Sequence, residues 1–175
     1  MQPIRTNRLM LRPFSADDEE AAFAFFGDPA VMRYSLNGVH PSRKPTADFI
    51  AANINRQDRL GYSIWAVVET ESGEVVGMCG LAEFGHGVNG IELAYRLRRD
   101  RWGRGYATEA GRGAVEHAFT GLELDRLIAA VEPANVASVN VLEKCGFERV
   151  NRGQIAGKEA FVYEIKRDDW LQLQF

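Results

Sequence analysis

Arg98-Arg-Asp-Arg-Trp-Gly-Arg-Gly-Tyr-Ala-Thr-Glu-Ala110 joins a run of strand-forming residues to a run of helix-forming ones, and its reading decides the fold. Ala107, Ala110, Gly111, Ala114, Val115 and Ala118 stand at i, i+3, i+4, i+7, i+8 and i+11, a stripe of small residues along one face of a helix beginning near Gly105. Such a stripe lets the helix pack closely on a sheet. Gly103 and Gly105 allow the backbone ahead of it to approach a ligand, and the free amides and dipole at that helix end favour an anion. A pyrophosphate fits this end, with Arg101 and Arg104 as candidate charge-assisted contacts to its oxygens. Taken alone, a Gly-x-Gly favours the plain tight strand-to-helix turn with no ligand.

Upstream of this loop lie three runs rich in β-branched and aromatic residues, Tyr62–Val68, Val75–Leu81 and Ile91–Leu97, separated by Glu71-Ser-Gly-Glu74 and a Gly-rich stretch. They read as antiparallel strands joined by hairpins. Further toward the N-terminus, Arg8-Leu-Met-Leu-Arg12 alternates like a half-buried strand that Pro13 ends. Ser15 and Asp18 form a capping-box pattern ahead of a helix that runs to Gly27-Asp28-Pro29, and a short helical turn follows at Val31–Arg33. Thr46 is the expected cap of another helix, carrying Phe49, Ile50 and Ile54 and closed by Gly61. Downstream, the pattern predicts a strand at Leu127–Val131, a helix from Ala137 to Lys144 stopped by Gly146, and one last strand around Ala160–Lys166. Helices and strands mix without strict alternation, so the fold class is α+β. No repeat or linker divides the chain, and residues 1–175 are expected to form one domain.

The composition, 46% hydrophobic and 26% charged, is that of a globular chain. A net charge of −3, with 21 basic against 24 acidic residues, argues against a general affinity for nucleic acid. The first residues lack the apolar stretch of a signal peptide, and no run reaches the roughly 18 apolar residues that a membrane span needs. The expectation is a cytoplasmic protein without membrane contact. Cys79 and Cys145 are read as small buried hydrophobes. His40, His86 and His117 lie at spacings that suggest no metal site.

Trp102-Gly-Arg-Gly-Tyr-Ala-Thr-Glu-Ala110 resembles the acetyl-CoA loop of the Gcn5-related N-acetyltransferase (GNAT) superfamily, in the branch of the ribosomal-protein N-terminal acetyltransferases. Gly105 and Ala107 match the superfamily pattern, while Trp102 takes the Gln or Arg place, as is common in this branch. Thr6-Asn-Arg-Leu-Met-Leu-Arg-Pro13 is similar to the branch's opening strand, and Asn135–Phe147 to its second cofactor segment. The resemblance implies a mixed, mostly antiparallel sheet flanked by helices. Its fourth and fifth strands, Ile91–Leu97 and Leu127–Val131, should splay apart to admit the pantetheine arm.

The implied reaction is direct transfer of an acetyl group from acetyl-CoA to a primary amine, on a protein N-terminus or a small molecule. An amine attacking a thioester must lose a proton, and the departing thiolate must be stabilised. Glu92 is the candidate base, with Glu83 as its competitor. Ser138 is the candidate partner of the thiolate, with Tyr163 as the substitute; both Glu92 and Ser138 also have ordinary structural readings, on an open sheet face and at a helix start. Candidate cofactor contacts are Trp102, Gly103, Arg104, Gly105, Tyr106, Ala107 and Thr108 of the loop. To these are added the backbone at Leu97, pairing like an added strand, and Asn135, Asn140 and Lys144. Trp65, Phe84, Tyr34 and His86 are candidates to line the acceptor site. Cys145, at a helix C-terminus, is disfavoured as an acyl carrier because the negative dipole end raises its pKa. A catalytically silent acyl-CoA-binding domain is the rival reading, and the mildly acidic chain suits cationic acceptors.

Overall fold

The computed structural model describes residues 1–85 and 90–173. Eight strands form one sheet in the order β1-β2-β3-β4-β5-β6-β8-β7. They are β1 (Ile4–Arg5), β2 (Leu9–Arg12), β3 (Ile64–Glu69), β4 (Val75–Glu83), β5 (Ile91–Leu97), β6 (Arg126–Val131), β7 (Glu148–Ile155) and β8 (Lys158–Lys166). All neighbours are antiparallel except β5 and β6. The helices are α1 (Glu19–Phe26), α2 (Pro29–Met32), α3 (Arg43–Leu60), α4 (Tyr106–Thr120), α5 (Val136–Lys144) and α6 (Arg167–Leu173).

Alternation along the strands divides the core in two. Leu9, Leu11, Trp65, Val67, Cys79, Leu81, Leu93 and Leu97 pack with the small-residue stripe of α4, with Leu142 of α5 and with Trp170 of α6. Ala66, Val68, Val75 and Met78, on the other face, pack with Phe25 and Phe26 of α1, Met32 of α2 and Ile50 of α3. The stripe on α4 does what its spacing predicts: a Cβ at Gly111 would come within 2.9 Å of Cys145 Sγ, so α4 and the end of α5 meet at a distance only glycine permits.

Helix α3 is mostly polar, yet it buries Thr46, Ile50, Asn53 and Gln57 along one face. The polar members are satisfied. Asn53 Oδ1 accepts from Ile64 N at 3.0 Å, and Gln57 Oε1 accepts from Ser63 Oγ at 3.1 Å and from the buried Trp65 Nε1 at 2.8 Å. The expected cap at Thr46 is therefore wrong. Ser42 is the N-cap, and Thr46 lies inside the helix, 2.8 Å from His40 Nδ1. The short helix after α1 also starts earlier than expected, at Pro29, because the Asp28 carboxylate accepts from Ala30 N at 2.8 Å. The single expected closing strand is in fact the hairpin β7–β8, followed by α6.

Strands β5 and β6 splay. Their ladder holds one pair, Glu92 with Ile128, whereas β4–β5 holds seven pairs and β6–β8 six. From that vertex the two strands diverge toward their C-terminal ends, at Leu97 and Val131.

Candidate active site

The loop before α4 is held from below by a charge network. Arg101 donates to Glu74 at 3.0 Å and to Asp100 at 2.6 Å, and it lies 3.4 Å from Glu69 at the end of β3. Glu69 also accepts from the Tyr106 hydroxyl at 2.6 Å and from Ser72 Oγ at 2.7 Å, and these two bonds lead in holding its pKa below the usual carboxylate range. Two expectations change here. Arg101 is spent on this network rather than free for phosphate, and the Tyr106 side chain is buried, leaving only its backbone amide for a ligand. Arg104 remains half-exposed, 3.9 Å from Glu69.

Gly103 and Gly105 have φ of +74° and +78°, in the left-handed region, and Gly105 is the N-cap of α4. A side chain at Gly103 would meet nothing within 4 Å, so the loop backbone is open to a ligand. The amides of Tyr106, Ala107 and Thr108 fall in the first turn, where no intrahelical acceptor exists. They point an unpartnered positive end at whatever docks there. The exposed Trp102 folds back so that its Nε1 donates to Leu97 O at 2.9 Å, which takes one lone pair of the carbonyl expected to meet the pantetheine.

A second brace comes from the N-terminus, and sequence reading missed it. Glu109 accepts from Thr6 Oγ1 at 2.6 Å, from Arg8 N at 2.7 Å and from Arg8 Nε at 2.8 Å. Arg8 also donates to Arg104 O at 3.0 Å and stacks 4.6 Å over the Tyr106 ring. Burial works to raise the Glu109 pKa, but the Thr6 and Arg8 hydrogen bonds outweigh it and keep the carboxyl ionised. Thr6, Arg8, Gly105, Thr108, Arg112 and Lys144 line an open groove of about 540 Å³ beside the loop. Arg112 pins the end of α5 there, donating to Lys144 O at 3.0 and 2.8 Å. Asn140, one turn back from Lys144, is exposed but outside the groove.

The gap between β5 and β6 runs from this loop to the Glu92–Ile128 vertex. Arg98 N donates to Val76 O and Phe84 N to Gly90 O, so even-numbered residues of β5 turn their backbone groups toward β4. Those of Tyr95 and Leu97 turn toward the gap, where β6 offers them no register partner. On the helical side of the gap, the Tyr95 hydroxyl lies 2.8 Å from Ser138 Oγ and donates to Ser138 O at 3.0 Å. Burial is the main cause that raises the Tyr95 pKa, against its bond to Ser138, so the phenol keeps its proton. Asn135 caps α5, its side-chain oxygen accepting from Ser138 N at 3.3 Å. Tyr163, the alternative hydroxyl, instead faces Glu143 at 3.4 Å. Tyr95 was not foreseen from the sequence, where it reads as one more aromatic in a strand.

Glu92 stands at the vertex on the opposite face. It shares that face with Ala94 and Arg96, and the register sets Ala82, Gly80 and Met78 across from them. Burial raises the Glu92 pKa to about 7, with Arg96 acting in the opposite direction. Glu83 pairs with Ile91, which places it on the other face and exposed. Trp65 is buried on the opposite face, paired with Cys79, whereas Phe84, also buried, follows Ala82 on the Glu92 face; His86 lies outside the described residues. Tyr34 does reach the site's edge, its hydroxyl donating to Ala134 O at 3.1 Å across the open end of the gap. Cys79 and Cys145 are free and buried, and burial lifts the Cys145 thiol to about 11, leaving it a poor acyl carrier.

Among the described residues no three His, Cys, Asp or Glu side chains group as metal ligands, and no helix is long and apolar enough to cross a membrane. Residues 8–148 match the acetyltransferase (GNAT) domain family. The protein YkkB of Bacillus subtilis is 31% identical over 92% of this chain and 94% of its own length. The spermidine N(1)-acetyltransferase of Escherichia coli K12 is 27% identical over 78% of this chain and 71% of its own. Among solved structures, a GNAT-family acetyltransferase from Bacillus anthracis superposes with a TM-score of 0.84 at 25% identity, covering 95% of this chain and 99% of that one. RimL, a ribosomal L7/L12 alpha-N-protein acetyltransferase in complex with coenzyme A, superposes with a TM-score of 0.81, covering 96% of this chain and 99% of that one; at 18% identity it speaks for the fold alone. With a family match across both the loop and the splayed strands, this chain belongs to the GNAT acetyltransferases and is an N-acetyltransferase.

Proposed function

We propose that the chain moves an acetyl group from acetyl-CoA directly to a primary amine, with Glu92 as the base and the Tyr95–Ser138 pair at the leaving sulfur. The observation that carries this reading is the vertex of the splayed strands. A carboxylate without a hydrogen-bond partner among the described residues flanks it on one face, two bonded hydroxyls flank it on the other, and an anion cradle lies at the far end of the gap. Acetyl-CoA, when bound, supplies an electrophilic acyl carbon and a thiolate leaving group. The Tyr106, Ala107 and Thr108 amides hold its pyrophosphate, with Gly103, Gly105 and Arg104 shaping and charging the loop. Tyr95 and Leu97 offer backbone bonds to the arm in the gap. Trp102 stiffens the end of β5, Asn135 fixes the start of α5, and Lys144 lines the groove, where the nucleotide end would lie, with the exposed Asn140 one turn back outside it.

Glu92 takes the proton that the amine sheds as it attacks. A pKa of about 7 suits this work, since near neutrality the carboxylate is available and still basic enough to hold a proton. When the Tyr95 hydroxyl turns its proton from Ser138 O to Ser138 Oγ, the serine's own proton is free to hydrogen-bond the departing sulfur on the other face. No residue need carry the acetyl group, and the buried, high-pKa cysteines agree with that.

Thiol release from acetyl-CoA over an amine panel tests the reading. Glu92→Gln should keep acetyl-CoA affinity while turnover falls by roughly 10²–10⁴-fold, with the deficit shrinking at high pH as more of the amine is already neutral. The wild-type rate should rise with pH through a midpoint of about 7, and the variant should lack that inflection. Near-normal turnover in Glu92→Gln would remove the base, and binding of acetyl-CoA without thiol release from any amine would leave only a silent binding domain.

A further inference from the structure

Arg96 is the group on the acceptor side for which acetyl transfer gives no role. It stands on the same face of β5 as Glu92, two pleats toward the C-terminal end, about 13 Å away at the Cα. Between the two, the sheet face is floored by Ala94 and, across the ladder, Gly80 and Ala82, so no long side chain separates the charges. Arg96 is mostly covered, and among the described residues its guanidinium has no ion pair or hydrogen bond. The other arginines beside the loop contrast with it: Arg98 and Arg101 both have carboxylate partners within 3.0 Å. A covered guanidinium without a close anion is costly to keep.

The elements beside this face are tied down. Arg99 is bound to Asp28 at 3.2 Å, and Tyr34 to Ala134, so the segment around α2 is tied down beside the ends of both splayed strands. His40, held by Thr46 and stacked on Phe26 at 4.6 Å, lies near enough to Arg96 to feel its charge. Burial first, and Arg96 second, push the His40 pKa down, so the imidazole is neutral and adds no competing cation. This face thus presents a proton-accepting carboxylate at one end and, at the other, a cation with no bonded counter-ion among the described residues.

We propose that the amine acceptor also carries a carboxylate, which Arg96 binds while Glu92 receives the amine. The inference rests on the acetyl-transfer reading above and goes beyond it to the substrate class. A polyamine brings a second cation to Arg96, and repulsion in a covered site discriminates strongly. An amino carboxylate brings the missing counter-ion and can form the two-pronged bond that a guanidinium favours.

The test uses sets matched in shape: aminohexanoate, its amide and the diamine of equal length, together with α-amino acids and their amides. Wild-type kcat/KM should favour the acids over the matched amides by about ten-fold or more, and over the diamine by more still. Arg96→Gln should abolish that preference through KM, and Arg96→Lys should restore part of it. A wild-type preference for amides or diamine overturns the proposal. So does an Arg96→Gln enzyme that loses the same factor on every acceptor while its pH midpoint moves up, since Arg96 then acts only through Glu92. Calorimetry with CoA-saturated protein reads the same contrast without turnover. If no amine releases thiol, the transfer reading fails on its own, whereas equal or absent binding of acid and amide overturns the inference.

Discussion

Glu92 is a carboxylic acid whose surroundings favour its neutral form, and that has a consequence for stability independent of the chemistry. Its folded pKa of about 7 lies above the value of about 4.5 expected for the unfolded chain. Between those values the folded state holds the extra proton. The stabilising contribution is therefore complete below about pH 4.5 and is lost as pH rises through 7, where burial of the ionised form must be borne. Glu92→Gln should thus be more stable than the wild type well above pH 7, by about 3 kcal/mol or slightly more at about 1.4 kcal/mol per pKa unit, and the difference should vanish toward pH 4.5. Urea melts at several pH values check this. A difference that does not depend on pH would mean that Glu92 titrates normally. The same residue shows what a sequence reveals at this scale. An acidic residue in a strand of apolar neighbours is visible, but its partner across the gap is not: Tyr95 and Ser138 are forty-three positions apart and meet only because β5 and α5 flank the same opening.

At the scale of elements, the loop–helix unit was readable because its requirements are local. Glycines at positive φ, a helix start and a small-residue face each leave a mark on adjacent letters. What escaped were elements defined by distant partners. Strand β7 is exposed along almost its whole length and lacks the apolar alternation that betrays a strand; it exists because β8 pairs with it through a turn at Ala156 and Gly157, both at positive φ, where alanine gives no turn signal. Thr46 looked like a cap because a cap and a buried hydroxyl use the same side chain, and only the approach of His40 decides between them. The brace from β1–β2 to α4 escaped for the same reason, and it yields a prediction. Arg8→Ala removes contacts to Glu109, Arg104 and Tyr106 together and should lower stability by about 1–3 kcal/mol. Amide exchange through residues 104–109 should quicken more than in β3 or β4. Glu109→Gln should reproduce part of the effect, and the double variant should fall short of the sum, because both changes cut one network. Additive losses would show that the two ends act separately.

For the whole molecule, the mixed sheet meets two opposing demands, since a continuous ladder would be stiffer but would leave no opening. The β5–β6 pair divides the sheet into β1–β5 and β6–β8, joined by ladder contact at one residue pair and otherwise by α4, α5 and their shared packing. A molecule built this way should gain stability when the opening is filled, because a ligand that bridges both halves binds only the folded state. CoA at about 100 times its Kd should stabilise the chain by about 2.7 kcal/mol, which for a domain of this size corresponds to a rise in Tm of roughly 5–10 °C. One cooperative transition should persist, with both halves moving together. Gly105→Val separates loop from fold in this measurement. A valine at φ +78° is strained, so its unliganded Tm should drop modestly, but the larger effect should be loss of the CoA-induced rise, because the branched side chain blocks backbone approach at the start of α4. If the variant kept the full rise, the anion cradle would lie elsewhere. If CoA raised neither protein while NAD or ATP raised both, the opening between β5 and β6 would belong to another ligand.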